Sequence, residues 1–149
     1  GYPELASAPG PYQIERHWGV FDPAMDPTRE EVYQFLDGLI GEMTALFPDP
    51  YFHVGGDEVN GKQWDQNPEI QKFKRAHGIK TNEELQTYFS KRVMAIVAAH
   101  GKKVVGWDEV LSPGLATFVV SCRTGDGLER WIDWVSNALV RRTPEPARR

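Results

Sequence analysis

The 149-residue sequence contains one cysteine, Cys122, so the chain cannot form a disulfide bond within itself. The four histidines lack the spacing of zinc ligands, and we expect neither a metal site nor a cofactor. The formal net charge of −4 gives no reason to expect a nucleic acid partner. No apolar run has the length of a transmembrane helix or a signal peptide, so we expect no membrane partner. None of these features indicates a cellular location.

Composition and residue distribution indicate one ordinary domain with a tail. Hydrophobic residues make up 40% of the sequence and aromatic residues 11%, which is enough for a core. Residues 1–26 are rich in proline and glycine, and we expect them to form a long loop. Residues 141–149 combine arginines with prolines and are predicted to be a disordered basic tail. The predicted organisation is therefore a partial domain over residues 1–140 followed by this tail.

Hydrophobic periodicity predicts alternating helices and strands. Apolar residues spaced as on one helix face predict four helices: 28–47, 68–78, 81–100 and 128–139. Short β-branched and aromatic runs predict three strands: Tyr51–Val54, Lys103–Trp107 and Phe118–Ser121. Alternation of this kind favours an α/β fold with a parallel sheet built from βα units.

Capping signals predict where the helices begin. Thr28 with Glu31, and Thr81 with Glu84, have the spacing of capping boxes. Asn67–Pro68 is a cap followed by a residue suited to the first helical turn. The apolar stripe of helix 28–47, down to Leu46 and Phe47, is expected to lie in the core. Residues 59–66 are predicted to be a loop whose Trp64 serves packing.

The motif around which the chain is organised follows the first predicted strand. Gly55 and Gly56 release the backbone from side-chain constraints, and Asp57 and Glu58 follow at once. A parallel sheet presents catalytic groups at the carboxyl ends of its strands. An isolated Asp-Glu pair would more simply be a turn with solvated acids.

Several motifs in the same order resemble glycoside hydrolase family 20, the β-N-acetylhexosaminidases. They are His53–Glu58, Gly106–Glu109, Tyr2–Leu5 and Trp18–Phe21, and the resemblance extends from residue 1 to about residue 125. In that family the first motif ends the fourth strand of a (β/α)8 barrel. The resemblance implies a partial TIM barrel, because a complete one needs about 200 to 250 residues. Residue 1 would then correspond to the middle of a longer homologue.

The resemblance also implies an activity and its residues. Family members release terminal N-acetylglucosamine or N-acetylgalactosamine from β-glycosides by a retaining, substrate-assisted mechanism. Glu58 is then the general acid and base, and Asp57 is the partner of the acetamido group. Trp107 is expected to wall the acetamido pocket; the alternative is a tryptophan of the core.

His53 and Glu109 complete the set of candidate substrate-binding residues. His53 is either a partner of the acids or a core histidine, and Glu109 is either part of the site or a solvated acid. One departure from the family concerns Ser121–Arg123, where the resemblance leads us to expect Ser-Trp-Arg and the sequence has Cys122. A small thiol there replaces an aromatic wall of the sugar pocket.

Two function classes remain open. In the first class, the chain is an active N-acetylhexosaminidase whose barrel a second chain could complete. In the second class, it is a catalytically inactive fragment that at most binds sugar weakly. Three strands cannot close a barrel, and exposed sheet edges invite pairing with another chain. We therefore expect a homo-oligomer, most simply a dimer, whose small-molecule partner is a glycoside of N-acetylglucosamine or N-acetylgalactosamine.

Overall fold

The computed structural model describes residues 1–57, 59–107, 124 and 126–140, without the side chains of residues 134, 135 and 137–140. The chain forms two units, residues 1–112 and 113–149. The first unit contains α1 (Glu30–Leu46), β1 (Tyr51–His53), α2 (Lys62–Gln66), α3 (Pro68–Ala76), α4 (Asn82–Ala99) and β2 (Lys103–Val105), and the second contains α5 (Leu128–Val140). The predicted strand 118–121 and the predicted tail 141–149 lie outside the described residues.

β1 and β2 are parallel neighbours, as the alternation of elements predicts. His53 lies opposite Val105 in the register of the pair. Backbone hydrogen bonds continue beyond the strand ends, from Val54 N–H to Val105 O at 2.8 Å and from Trp107 N–H to Gly55 O at 2.9 Å. The prediction of a parallel pair is confirmed, and the carboxyl ends of the two strands lie side by side.

The two faces of this sheet have different surroundings. Side chains alternate between faces along a strand, so Phe52 and Val54 point to the side opposite His53. On their side they pack with Val104 against helices α1 and α4, whose buried residues there are Ile40, Val93 and Val97. His53 and Val105 are exposed on the other face. Helices therefore cover one face of the described sheet, and the other face is open.

Arg92 on α4 fastens that helix to α1. Its guanidinium donates to both carboxylate oxygens of Glu30, at 2.6 and 2.8 Å, and lies 3.5 Å from the centroid of the Tyr33 ring. The Arg92 hydrogen bond lowers the pKa of Glu30. Tyr33 is buried and donates its hydroxyl to Pro27 O at 2.5 Å, and burial raises the pKa of its phenol. Arginine suits this position because its planar group can stack on a ring and bind a carboxylate with two hydrogen bonds.

Two predicted helix starts are confirmed. At α4, Thr81 Oγ1 accepts from Glu84 N–H at 3.2 Å while Glu84 Oε2 accepts from Thr81 N–H at 3.3 Å. At α3, the side chain of Asn67 accepts from Glu69 N–H at 3.0 Å and Ile70 N–H at 3.3 Å. Each side chain satisfies amides that have no partner within the helix.

The predicted capping box of Thr28 and Glu31 is wrong. Helix α1 begins at Glu30, its N-cap is Arg29, and no side chain caps it. The amide and the hydroxyl of Thr28 both donate to Asp26 Oδ1, at 2.9 and 2.7 Å. The carboxylate two residues upstream offers a closer acceptor, so Thr28 becomes part of the turn before the helix.

The predicted loop over residues 59–66 contains a short helix, α2. Gly61, the N-cap residue before α2, has a φ of 71° in the left-handed region, which favours glycine. Trp64 within α2 is 3% exposed, and its Nε1 donates to Met25 O at 3.0 Å. It packs with Ile70 and Leu85. The packing role predicted for Trp64 is confirmed, although its backbone is helical.

The apolar stripe of α1 is buried along part of its length. Val32 and Ile40 are buried, but Leu39, Leu46 and Phe47 are exposed by 44%, 71% and 59%. The prediction that the whole stripe lies in the core is therefore wrong at Leu39 and at the C-terminal end of the stripe. The described helices and strands supply nothing that covers these three side chains.

The remaining described segments are largely as predicted. Residues 1–26 form a loop apart from one turn of 3-10 helix at Pro3–Leu5 and a single antiparallel bridge between Ala6 and Met25. Helix α5 confirms the last predicted helix. None of the helices in the described part of the chain is both long and apolar enough to cross a membrane.

Candidate active site

Gly55 is the residue around which the site is built. Its carbonyl accepts from Trp107 N–H at 2.9 Å, and its N–H donates to His53 Nδ1 at 3.0 Å. Its φ is +69°, in the left-handed region, and a Cβ placed on it would lie 3.4 Å from Asp57 Oδ1. Glycine permits this turn, which brings the carboxylate of Asp57 back toward the strand end. The ends of β1 and β2 and the first acid of the pair therefore meet at one residue.

His53 and Trp107 form an aromatic pair on the open face. Their ring centroids are 5.0 Å apart and their planes meet at 67°, an edge-on contact. His53 is exposed, and Trp107 is 54% exposed. Strand alternation directs both rings away from the helices, so neither lies in the helix-covered core of the described chain, and their roles toward a substrate stay predictions.

The hydrogen bond from Gly55 determines which tautomer the neutral His53 adopts. Since Nδ1 accepts a hydrogen bond from the backbone N–H of Gly55, the ring proton of a neutral imidazole lies on Nε2. His53 therefore supports the turn at Gly55 with one nitrogen and keeps a donor on the other. In the structure this hydrogen bond reaches the backbone of Gly55, two residues before Asp57, and the predicted role of His53 as a partner of the acids stays a prediction.

The backbone that carries the first acid is tied to helix α4. Gln86 Nε2 donates to Gly56 O at 2.9 Å and to Asp57 O at 3.0 Å. Gly56 has φ of +94°, so two successive glycines precede Asp57 in the left-handed region. Asp57 itself is exposed. Nothing in the sequence around Gln86 marks this contact, which joins residues about thirty positions apart in the chain.

Three of the predicted site residues, His53, Asp57 and Trp107, are brought together at the strand ends. Glu58 and Glu109 lie outside the described residues, and so does Cys122. The roles given to Glu58 and Glu109 remain predictions. Within the described residues, no three His, Cys, Asp or Glu side chains are grouped so that they could hold a metal ion.

A carboxylate and an exposed indole at adjacent strand ends can serve a sugar in different ways. The carboxylate can accept hydrogen bonds or stabilise positive charge, and the indole offers an apolar surface. With parallel strands covered by helices on one face and an acid after a strand end, the first unit has an α/β architecture with a carboxylate where such folds place functional groups.

The chain belongs to glycosyl hydrolase family 20, because the model of that family's catalytic domain matches residues 1–139. A β-hexosaminidase of Porphyromonas gingivalis is 39% identical over 128 residues, which are 85% of this chain and 16% of that protein. The β-hexosaminidase subunit beta of Homo sapiens is 37% identical over 97 residues, 60% of this chain and 17% of that protein.

The crystal structure of a chitobiase from Flavobacterium johnsoniae has the same fold where the two chains overlap. It superposes with a TM-score of 0.72 at 40% sequence identity and covers 91% of this chain and 22% of its own. The chain thus spans between 16% and 22% of the length of these three relatives. The family resemblance predicted from the motifs is confirmed.

Proposed function

We propose that this chain carries part of the active site of a β-N-acetylhexosaminidase. The reaction is hydrolysis of terminal N-acetylglucosamine or N-acetylgalactosamine from β-glycosides, with retention at the anomeric carbon. The observation that carries the proposal is the convergence of Asp57 and the exposed Trp107 on Gly55 at the ends of β1 and β2. The names of the relatives support the choice of substrate class.

The fold proposed for this function is part of a (β/α)8 barrel. In that arrangement β1 and β2 are adjacent barrel strands, and α1 and α4 belong to the outer helical layer. The open face with His53 and Val105 corresponds to the barrel interior. The parallel pairing and the helices on one face support this assignment.

The proposed reaction begins with attack by the substrate itself. The oxygen of the 2-acetamido group attacks the anomeric carbon, and the bond from that carbon to the leaving oxygen breaks. Glu58 donates a proton to the leaving oxygen. Asp57 accepts a hydrogen bond from the acetamido N–H, and so stabilises the positive charge of the resulting oxazolinium ion. Glu58 then takes a proton from water as the water oxygen bonds to the anomeric carbon and the ring reopens.

Adjacent acids suit these two roles because successive side chains at a strand end diverge, so one reaches the leaving oxygen and the other the acetamido arm. Trp107 would then contact the acetamido methyl group and hold the arm folded for attack.

A non-catalytic, sugar-binding remnant is the second candidate. The observation that favours it is exposure: Asp57 is exposed and Trp107 is 54% exposed, although glycoside hydrolysis profits from a site that excludes water. Such a protein would bind N-acetylglucosamine weakly and release no product.

Glu58→Gln tests the proposal, because glutamine cannot donate the proton that the leaving oxygen needs. We expect turnover of N,N′-diacetylchitobiose, whose leaving group is a sugar, to fall by about 10²- to 10⁴-fold. The loss should be smaller for a nitrophenyl N-acetylglucosaminide, since nitrophenolate leaves without protonation. The measurement is release of N-acetylglucosamine and of nitrophenol under matched conditions.

The control is Glu42→Gln, which makes the same change at an exposed position of α1. It should retain wild-type turnover of both substrates. An equal loss in the two variants, or full activity of Glu58→Gln on the disaccharide, would remove Glu58 from the proposed role. A wild-type chain that binds the sugar but hydrolyses neither substrate would support the second candidate.

A further inference from the structure

The side chain of Gln86 on α4 donates hydrogen bonds to the backbone that leads into the acid pair. The Nε2 group of Gln86 lies 2.9 Å from Gly56 O and 3.0 Å from Asp57 O. A carbonyl oxygen can only accept a hydrogen bond, so the amide nitrogen of Gln86 must face both oxygens. Its two hydrogens match the two acceptors in number.

The base of this contact is rigid. Leu85, the residue before Gln86, is fully buried among Trp64 and Ile70. Helix α4 also begins with a complete capping box, so its first turns are held in place. Gln86 therefore extends from a fixed helix toward the segment that follows β1.

The segment that it reaches has little rigidity of its own. Gly55 and Gly56 both adopt positive φ values, +69° and +94°, and glycine is the residue with the greatest backbone freedom. The last hydrogen bond between the strands among the described residues is the one that Gly55 O accepts. Beyond that point, Gln86 donates the hydrogen bonds that reach the backbone carbonyls of Gly56 and Asp57.

We propose that Gln86 is a positioning residue for the acid pair. By fixing two successive carbonyls it sets the direction in which the Asp57 side chain leaves the backbone, and Glu58 follows directly in the chain. The catalytic part of this inference rests on the function proposed above. The mechanical part, restraint of Gly56 and Asp57 by Gln86, stands on the hydrogen bonds alone.

The test replaces the amide in two ways. Gln86→Leu removes the donor, and Gln86→Glu keeps the shape but presents an ionised carboxylate to two carbonyl oxygens. The matched control is Gln71, whose Nε2 donates to Trp64 O, also at 2.9 Å, and which is likewise partly buried. Gln71→Leu and Gln71→Glu remove an equivalent bond that does not reach Asp57.

The first readout is ¹⁵N relaxation of the intact chain, which needs no activity. Order parameters of Gly56 and Asp57 should fall from about 0.85, typical of rigid backbone, to below about 0.6 in the Gln86 variants. They should stay at the wild-type value in the Gln71 variants. Unchanged order parameters in a folded Gln86→Leu protein overturn the proposal.

The second readout separates positioning from general stability. We expect kcat for a nitrophenyl N-acetylglucosaminide to fall by about 10- to 100-fold in the Gln86 variants, with KM changed by less than about threefold. The Gln71 variants should keep wild-type kcat. If Asp57 becomes mobile in the Gln86 variants while kcat stays at the wild-type value, the proposed role of Gln86 in catalysis is overturned. If the wild-type chain is inactive, the proposed function fails by itself, and the relaxation data still decide whether Gln86 restrains the segment.

Discussion

At the scale of single residues, the site depends on the backbone freedom of glycine, which lets Gly55 adopt a positive φ that residues with a side chain do not favour. Gly55 accepts a hydrogen bond from Trp107 and donates one to His53, and its φ of +69° turns the chain toward Asp57. The convergence of these residues is predictable from the sequence, because parallel strands place their carboxyl ends at one edge. The contribution of Gln86 is not, since a helix side chain that binds a distant carbonyl leaves no local pattern.

Two tryptophans provide a prediction at this scale. Trp107 is 54% exposed, so Trp107→Ala should change the free energy of unfolding by less than about 1 kcal/mol while impairing hydrolysis or binding of the acetamido sugar. Trp64 is 3% exposed and hydrogen-bonded to Met25 O, so Trp64→Ala should cost about 3–5 kcal/mol. Thermal melts and sugar titrations of both variants are the measurements.

Equal effects of the two substitutions would count against Trp107 as a residue of the sugar pocket. If both variants are folded at the assay temperature and lose sugar binding or turnover equally, the position of Trp107 at the end of β2 has no special role.

At the scale of elements, a capping box predicted from the sequence forms where no other side chain nearby binds the capping residue. Thr81 and Glu84 form the predicted box, whereas Thr28 is captured by Asp26 before it can cap α1. Helix α2 has a single large apolar residue, Trp64, and therefore no periodicity to reveal it. The extent of burial along α1 depends on which elements cover it, and the helical pattern alone does not contain that information.

The capping box gives a prediction for stability. Thr81→Ala removes the side chain that caps α4 and should lower the free energy of unfolding by about 1 kcal/mol. Thr87→Ala is the control in the same helix, where the hydroxyl bonds to Glu83 O at 2.9 Å and alanine is the better helix former. Urea denaturation of the two variants should show a loss in the first and little change or a gain in the second.

The same box makes the stability of α4 depend on pH. Hydrogen bonds from the backbone amides of Lys80 and Thr81 lower the pKa of Glu84 below its usual value of 4.5. A carboxyl whose pKa is lower in the folded state contributes stability above pH 4.5, and this contribution is lost as the pH falls below that value. Glu84→Gln should therefore weaken the decline in stability between neutral and acidic pH. An identical decline in both proteins would contradict this reasoning.

At the scale of the whole molecule, the described sheet has helices on one face and exposed side chains on the other. Val105 is 38% exposed there beside His53, and Trp107 follows it at the strand end. Val105 and Trp107 are among the exposed apolar side chains that association through this face would bury. The family motifs lead us to propose a partial barrel, but the sequence does not indicate what covers this face.

Light scattering across a concentration series tests self-association, for which a dimer is the expected species. Val105→Lys places a charge on the open face and should shift the protein toward monomer. Val20→Lys makes the same change at a residue 47% exposed in the N-terminal loop and should leave association unchanged. A compact wild-type monomer at high micromolar concentration, with cooperative thermal unfolding, would contradict the prediction of a dimer.

The central claim, that the substrate's acetamido group supplies the nucleophile beside Asp57, is tested most directly by comparing two substrates. The measurement is kcat/KM of the wild-type chain for nitrophenyl β-N-acetylglucosaminide and for nitrophenyl β-glucoside, which lacks the acetamido group. Because a well-placed intramolecular nucleophile contributes a large rate advantage, we predict a preference on the order of 10²-fold or more for the acetamido substrate. Comparable hydrolysis of the two, or hydrolysis of neither, would contradict it.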